Sequence, residues 1–199
     1  MSDTVLEGTP GGGGGVTTVE MLRRGVGNAV SGLSQMLGQE IKIASINLTK
    51  VLVKDIPELF GGAQAMKVGV YLAICGHSNG HMVAIYEPQN AFDLIDLLLG
   101  QPAGTTKELH DMEQSVLGEV GNIMGSFFLN HLANSTGMDL QPSPPAVLMD
   151  MTGAILEVAT VSALECSDYT YVIDTVFESP DRQVTGTFLV MPVPGMETI

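Results

Sequence analysis

The chain has 199 residues, of which 8 are Lys or Arg and 22 are Asp or Glu, giving a formal net charge of −14. At a sequence pI near 4.4 it repels a nucleic-acid backbone or an anionic membrane, because neither finds a cationic patch to release its counterions. With 45% hydrophobic residues and a mean hydropathy of +0.28, it can bury enough apolar surface to offset ordering entropy, which excludes global disorder.

The length suits one domain with a sizeable core, or two small halves packed together. Cys75 and Cys166 lie far apart in apolar surroundings and in no metal-spaced cluster, so they read as two buried thiols of a reducing compartment. No basic segment followed by an apolar one opens the chain, so no signal peptide is read there. The longest mostly apolar stretches, Val68–Cys75 and Ala91–Leu99, fall short of the ~20 residues of a membrane span. The expectation is a cytoplasmic protein without membrane insertion.

Residues 1–15 end in Gly11–Gly15, a run that loses too much backbone entropy to order itself and reads as a flexible lead-in. Thr17-x-x-Glu20 is a capping box that opens a helix ending near Gly38. Ile41–Ile46 and Leu48–Val53 alternate apolar and polar residues, as strands with one buried face do. Met66–Ile74 and His81–Glu87 flank Ser78-Asn79-Gly80, the strongest hairpin signal in the chain. Ala91–Leu99, with Pro88 ahead of it and Gly100 behind, is a short joining helix. Asp111-x-x-Gln114 opens a second long helix that stops near Asn134–Gly137. Ala146–Met151, Ala154–Leu164, Tyr169–Phe177 and Val184–Val190 read as strands.

Asp111 stands 94 positions after Thr17, and at the same offset Gly121-Asn122 aligns with Gly27-Asn28. The pattern predicts an α+β fold made of a duplicated α-β-β-β unit with pseudo-two-fold symmetry. Its mainly antiparallel sheet packs against two long helices. Residues 16–199 then form one domain of two repeats, at about 16–100 and 108–195.

On the second helix, Val116, Leu117, Val120, Ile123, Met124, Phe127 and Phe128 form an apolar stripe for the core. The opposite side carries Ser115, Gly118, Glu119, Asn122, Gly125 and Ser126. Glycine costs a helix roughly 1 kcal/mol against alanine, so this face has a purpose other than solvation. Either the glycines lower the surface so that a macromolecule can reach Glu119 and Asn122, or they permit a close helix-helix contact inside the protein. The first helix repeats the pattern with Met21, Gly25 and Asn28 in the row, so the carboxylate is missing there.

The motif Ser115-Val-Leu-Gly-Glu119-Val-Gly-Asn122, with Pro144 and Pro145 standing 22 and 23 residues beyond the Asn, resembles the CheC/CheX/FliY family of chemotaxis phosphatases, and within it the CheC branch. Glu119-Val-Gly-Asn-Ile-Met-Gly-Ser-Phe-Phe-Leu-Asn-His-Leu-Ala is similar to that branch's helix. The resemblance implies a phosphatase that removes the phosphoryl group from the aspartate of a CheY-type response regulator. It gives Asn122 the attacking water to orient and Glu119 the regulator's lysine to pair with, so that catalysis is mainly orientation. The protein needs no cofactor or metal of its own, and Mg²⁺ is expected on the regulator. Ser115, Pro144 and Pro145 are motif-associated, the prolines as shaping residues. The resemblance also implies the CheD deamidase as a partner, and the same fold without turnover is the alternative, a module that holds CheD or a phosphorylated regulator. Met21, Gly25 and the lack of a proline between Asn28 and Ile56 imply that Asn28 marks a degenerate first site, inactive or only a docking surface.

His77 and His81 flank a turn without a third ligand, and read as hairpin histidines rather than a zinc site. No Gly-x-Ser-x-Gly elbow and no clustered calcium loop occurs. The methionines on the predicted helices, Met36 and Met124, read as core filler.

Overall fold

The Asn-Gly turn of the sequence closes a hairpin in the computed structural model, which describes residues 18–38, 41–77, 79–166, 168–178 and 183–191. Strands β2 (Met66–Gly76) and β3 (Gly80–Tyr86) pair from Ile74 opposite Gly80 to Val68 opposite Tyr86. The Gly-rich lead-in and the Thr17 cap fall outside the described residues, and so does the side chain of Met36.

Around this hairpin runs a seven-stranded sheet in the order β1-β6-β7-β3-β2, with β4 and β5 both on the far side of β2. The added strands are β1 (Lys42–Leu52), β4 (Leu140–Pro142), β5 (Ala146–Met151), β6 (Tyr169–Glu178) and β7 (Gln183–Met191). Every pairing is antiparallel. Helices α1 (Thr18–Leu37), α3 (Pro88–Leu98) and α4 (Asp111–Thr136) share one core with Val70, Leu72, Ile74, Phe188 and Val190 of the sheet. On the other face, α2 (Ile56–Leu59) and α5 (Thr152–Cys166) pack on Val83, Ile85, Val172 and Leu189. The α+β class and the mainly antiparallel sheet are as the sequence predicts.

The repeating unit is different. Ala154–Leu164 is not a strand but lies within α5. Ile155, Val158, Thr160 and Val161 give the segment a strand-like composition, yet its buried residues are Ile155, Leu156, Ala159 and Ala163, a helical spacing. A strand would have put Glu157 on the same buried face as Ile155 and Ala159. Ile41–Ile46 and Leu48–Val53 are likewise one strand, β1, with a register irregularity between Ile43 and Ser45. A 3-10 turn (Val53–Asp55) and α2 follow it, so the order α-β-α-β-β replaces the expected α-β-β-β. The interposed helices are what cover the second sheet face.

Both long helices end at left-handed glycines, Gly38 at φ +62° and Gly137 at φ +73°. The start of α4 lies one residue earlier than the sequence suggests. His110 is the N-cap, and its N–H donates to Glu113 Oε2 at 3.1 Å. A carboxylate is the stronger acceptor, so Glu113 takes this place ahead of Gln114.

The glycine face of α4 is turned inside the protein, against a strand and its flanking prolines rather than against a second helix. Gly118, Gly121 and Gly125 are all buried. A β-carbon at Gly121 would overlap Val70 of β2, and one at Gly125 would come within 2.9 Å of Leu72 Cδ2. At Gly118 the nearest atoms, Val147 Cγ2 at 3.6 Å and Pro145 Cγ at 3.7 Å, are at ordinary contact distance. The helix therefore lies against β2 and the chain before β5, at a spacing that side chains would prevent.

The α3–α4 connection hangs on a buried carboxylate. Asp96, with none of its surface exposed, accepts the N–H of Thr105 and of Thr106, each at 2.9 Å. Burial pushes its pKa up, but the hydrogen bonds of Thr106 and the N–H groups of Thr105 and Gly104 outweigh burial and hold it below the ordinary 3.8. None of the described helices is long and apolar enough to cross a membrane.

Two predictions follow from this packing. Asp96→Asn loses about 1–3 kcal/mol of unfolding free energy at neutral pH, because its donors meet a weaker acceptor. A carboxylate with a depressed folded pKa stabilises above its unfolded value and loses that stabilisation as pH falls through the folded one. The gap between wild type and Asp96→Asn in urea melts is therefore constant near neutrality and closes below pH 3.8; a gap that widens in acid contradicts the assignment. Gly121→Ala costs about 1–3 kcal/mol through overpacking on Val70. Gly118→Ala is neutral or stabilises by up to about 1 kcal/mol, and equal urea midpoints for the two variants would contradict this packing.

Candidate functional site

With the glycines turned inward, the row beside them is what α4 presents to solvent. Ser115, Glu119 and Asn122 are exposed, at successive turns of one helix face. Among the described residues none of the three side chains has a hydrogen bond or an ion pair, so Glu119 and Asn122 are free to meet a partner. They line an open depression of about 650 Å³ with Asp111, Gln114 and, across from them, Pro142–Pro145.

That opposite wall is a break in the sheet. Ile74 pairs with Pro142 and Tyr71 with Ala146, so Ser143, Pro144 and Pro145 oppose only Leu72 and Ala73 of β2. One extra residue makes a bulge, which is where a sheet accepts prolines, since neither proline has an N–H for the ladder. Pro142 and Pro145 lean on the glycine face of α4, with carbons 3.7 Å from β-carbon positions at Gly125 and Gly121 respectively. Ser115, Glu119, Asn122, Pro144 and Pro145, singled out in the sequence, thus lie around one depression. The sequence misses Ser143, Asp111 and Gln114; a Pro-Pro pair between two strand-like runs was the available signal for the bulge.

The first half does not copy this geometry. Met21 and Gly25, at the places of Ser115 and Glu119, are both buried, and only Asn28 of that row is exposed. A β-carbon at Gly25 would come within 2.8 Å of Phe128 Cδ2, so α4 occupies the space a carboxylate would need. Gly32 likewise lies under Phe127, a ring that is 38% exposed although its stripe was expected to face the core. Asn28 Nδ2 is 3.0 Å from His131 Nδ1, and His131 Nε2 is buried with no partner among the described residues. The first amide is thus engaged within the protein, whereas Asn122 is not.

The two hairpin histidines have local partners. His77 Nδ1 accepts the N–H of Asp139 at 2.9 Å, and His81 Nδ1 is 2.8 Å from the Tyr71 hydroxyl. Burial lowers the pKa of His81 and raises that of Tyr71, to which nearby Cys75 adds. Among the described residues no three His, Cys, Asp or Glu side chains converge as metal ligands. Cys75 is exposed near the end of β2, contrary to the expected buried thiol, because the strand runs past the core there; the side chain of Cys166 is outside the described residues.

Residues 112–149, which hold α4 and the bulge, match the model of the CheC-like family. The chain is 30% identical over 163 residues to the CheY-P phosphatase CheC of Bacillus subtilis, covering 80% of this chain and 78% of that protein. Among solved structures, Thermotoga maritima FliY superposes with a TM-score of 0.67 at 18% identity, over 88% of this chain and 92% of that one. CheX in its complex with CheY, BeF3 and Mg+2 from Borrelia burgdorferi gives a TM-score of 0.54 at 18% identity, covering 88% and 97%. The extent of the Bacillus match, with the family model falling on the helix and bulge of the depression, makes this chain a member of the CheC-like family.

Proposed function

We propose that the protein hydrolyses the aspartyl phosphate of a CheY-type response regulator through one site on α4. The observation that carries the reading is the pair Glu119 and Asn122, exposed, adjacent and without partners beside the Pro144–Pro145 wall. An acyl phosphate is labile, so the catalyst has mainly to dock and to aim a water molecule. Asn122 offers both a donor and an acceptor, which suits holding water in line with the bond between phosphorus and the aspartate oxygen. Attack forms the new P–O bond, the old one breaks, and inorganic phosphate leaves the regenerated carboxylate. Glu119 pairs with the regulator's active-site lysine and sets the register of the two proteins. Mg²⁺ on the regulator neutralises phosphoryl charge, and no ion held by this chain is part of the scheme.

The first half contributes no second site in this reading, since Gly25 lies under Phe128 and Asn28 faces His131. The kinship to the Bacillus phosphatase supports the substrate class, and the geometry supports the choice of helix.

The test is the decay of phosphoryl label on a CheY-type regulator with Mg²⁺ and catalytic amounts of the protein. Asn122→Ala is expected to lower kcat/KM about a hundredfold by losing the aimed water. Glu119→Ala lowers it about tenfold or more by losing a charge pair at the interface. Asn28→Ala stays within about twofold of wild type, as a surface change away from the reacting groups does. Loss of activity in folded Asn28→Ala would mean that the halves cooperate. A wild type that binds the regulator, or a CheD deamidase, without speeding decay would make the protein a holding module instead.

A further inference from the structure

The bulge that forms the wall is held by one side chain. Where the extra residue interrupts the ladder, the N–H of Ala73 on β2 has lost its ordinary strand partner. It donates instead to Ser143 Oγ at 2.9 Å. The same hydroxyl donates to the carbonyl of Pro144 at 3.0 Å, and the Ser143 N–H donates to the Ala73 carbonyl at 2.8 Å. Pro144 and Pro145 have no N–H to donate, so the Ser143 hydroxyl connects the proline wall to the sheet through both its donor and its acceptor.

We propose that Ser143 is a positioning residue for the docked regulator: its hydroxyl fixes the Pro144–Pro145 wall across from Glu119 and Asn122, so that the depression is set before the partner arrives. This rests on the reading that the depression is where the regulator docks. Ser143 does not act on the reacting atoms. A wall already fixed spares the complex the entropy of ordering it, which makes docking tighter without changing the step that follows. Alanine at this position leaves the Ala73 N–H without its side-chain acceptor and frees the Pro144 carbonyl, so the wall acquires more than one arrangement. Threonine keeps the hydroxyl.

The experiment is steady-state hydrolysis of the phosphorylated regulator by wild type, Ser143→Ala and Ser143→Thr. It is paired with binding of the same regulator activated by beryllofluoride and Mg²⁺. Ser143→Ala should raise KM and the dissociation constant together, about five- to tenfold, with kcat within about twofold. Ser143→Thr should restore both. A Ser143→Ala protein with wild-type KM and affinity overturns the proposal. So does one whose kcat and melting temperature fall while KM and affinity stay constant, since that is a purely structural effect. Should wild type bind the activated regulator without hydrolysing it, the phosphatase reading fails and the affinity ratio still decides the role of Ser143.

Discussion

The approach of α4 to β2 is the contact on which the site depends. Gly121 and Gly125 lack the side chains that would hold the helix off, and Val70, Leu72, Pro142 and Pro145 fill the space instead. Glycine inside a helix is costly, so the packing on both sides has to offset it. Leu117, Ile123 and Phe128, buried on the neighbouring stripe, anchor the same helix to the core. With the helix drawn down, the next row outward, Ser115, Glu119 and Asn122, lines one depression with the bulge. Depth and composition of the depression are therefore consequences of helix packing.

The two halves differ in chemistry. In the second half, bulge and glycines leave an amide and a carboxylate unpartnered. In the first, α4 itself fills the equivalent space: Phe128 over Gly25, Phe127 over Gly32 and His131 beside Asn28. Close packing of α1 on α4 and an open first site are mutually exclusive in this arrangement. The buried Nε2 of His131, without a partner among the described residues, is a cost of the order of a lost hydrogen bond that the helix contact offsets.

Much of this was legible in the residues. The hairpin of β2 and β3, the terminal glycines of the long helices and the alternation in β1, β6 and β7 have local causes, and local patterns reveal them. The motif residues of α4 could be placed on one face by helix geometry alone. Three features escaped because their causes are not local. Helix α5 carries Val158, Val161 and Leu164 exposed on the side opposite its buried stripe, so apolar residues all around it hide the helical period. The glycine face of α4 looks the same in sequence whether it faces solvent or β2, and only the presence of Val70 and Leu72 decides. Ser143 is invisible as a functional candidate because its role is to replace a strand partner removed by two prolines, a defect that exists only once the strands are paired.

In the proposed complex one helix, α4, receives the regulator. Amide hydrogen exchange of the protein, alone and saturated with beryllofluoride-activated regulator and Mg²⁺, tests it most directly. The account predicts new protection confined to residues 111–122 and 142–147, with the amides around Asn28 on α1 unchanged. Protection centred on α1, or spread equally over both helices, would contradict a single working site.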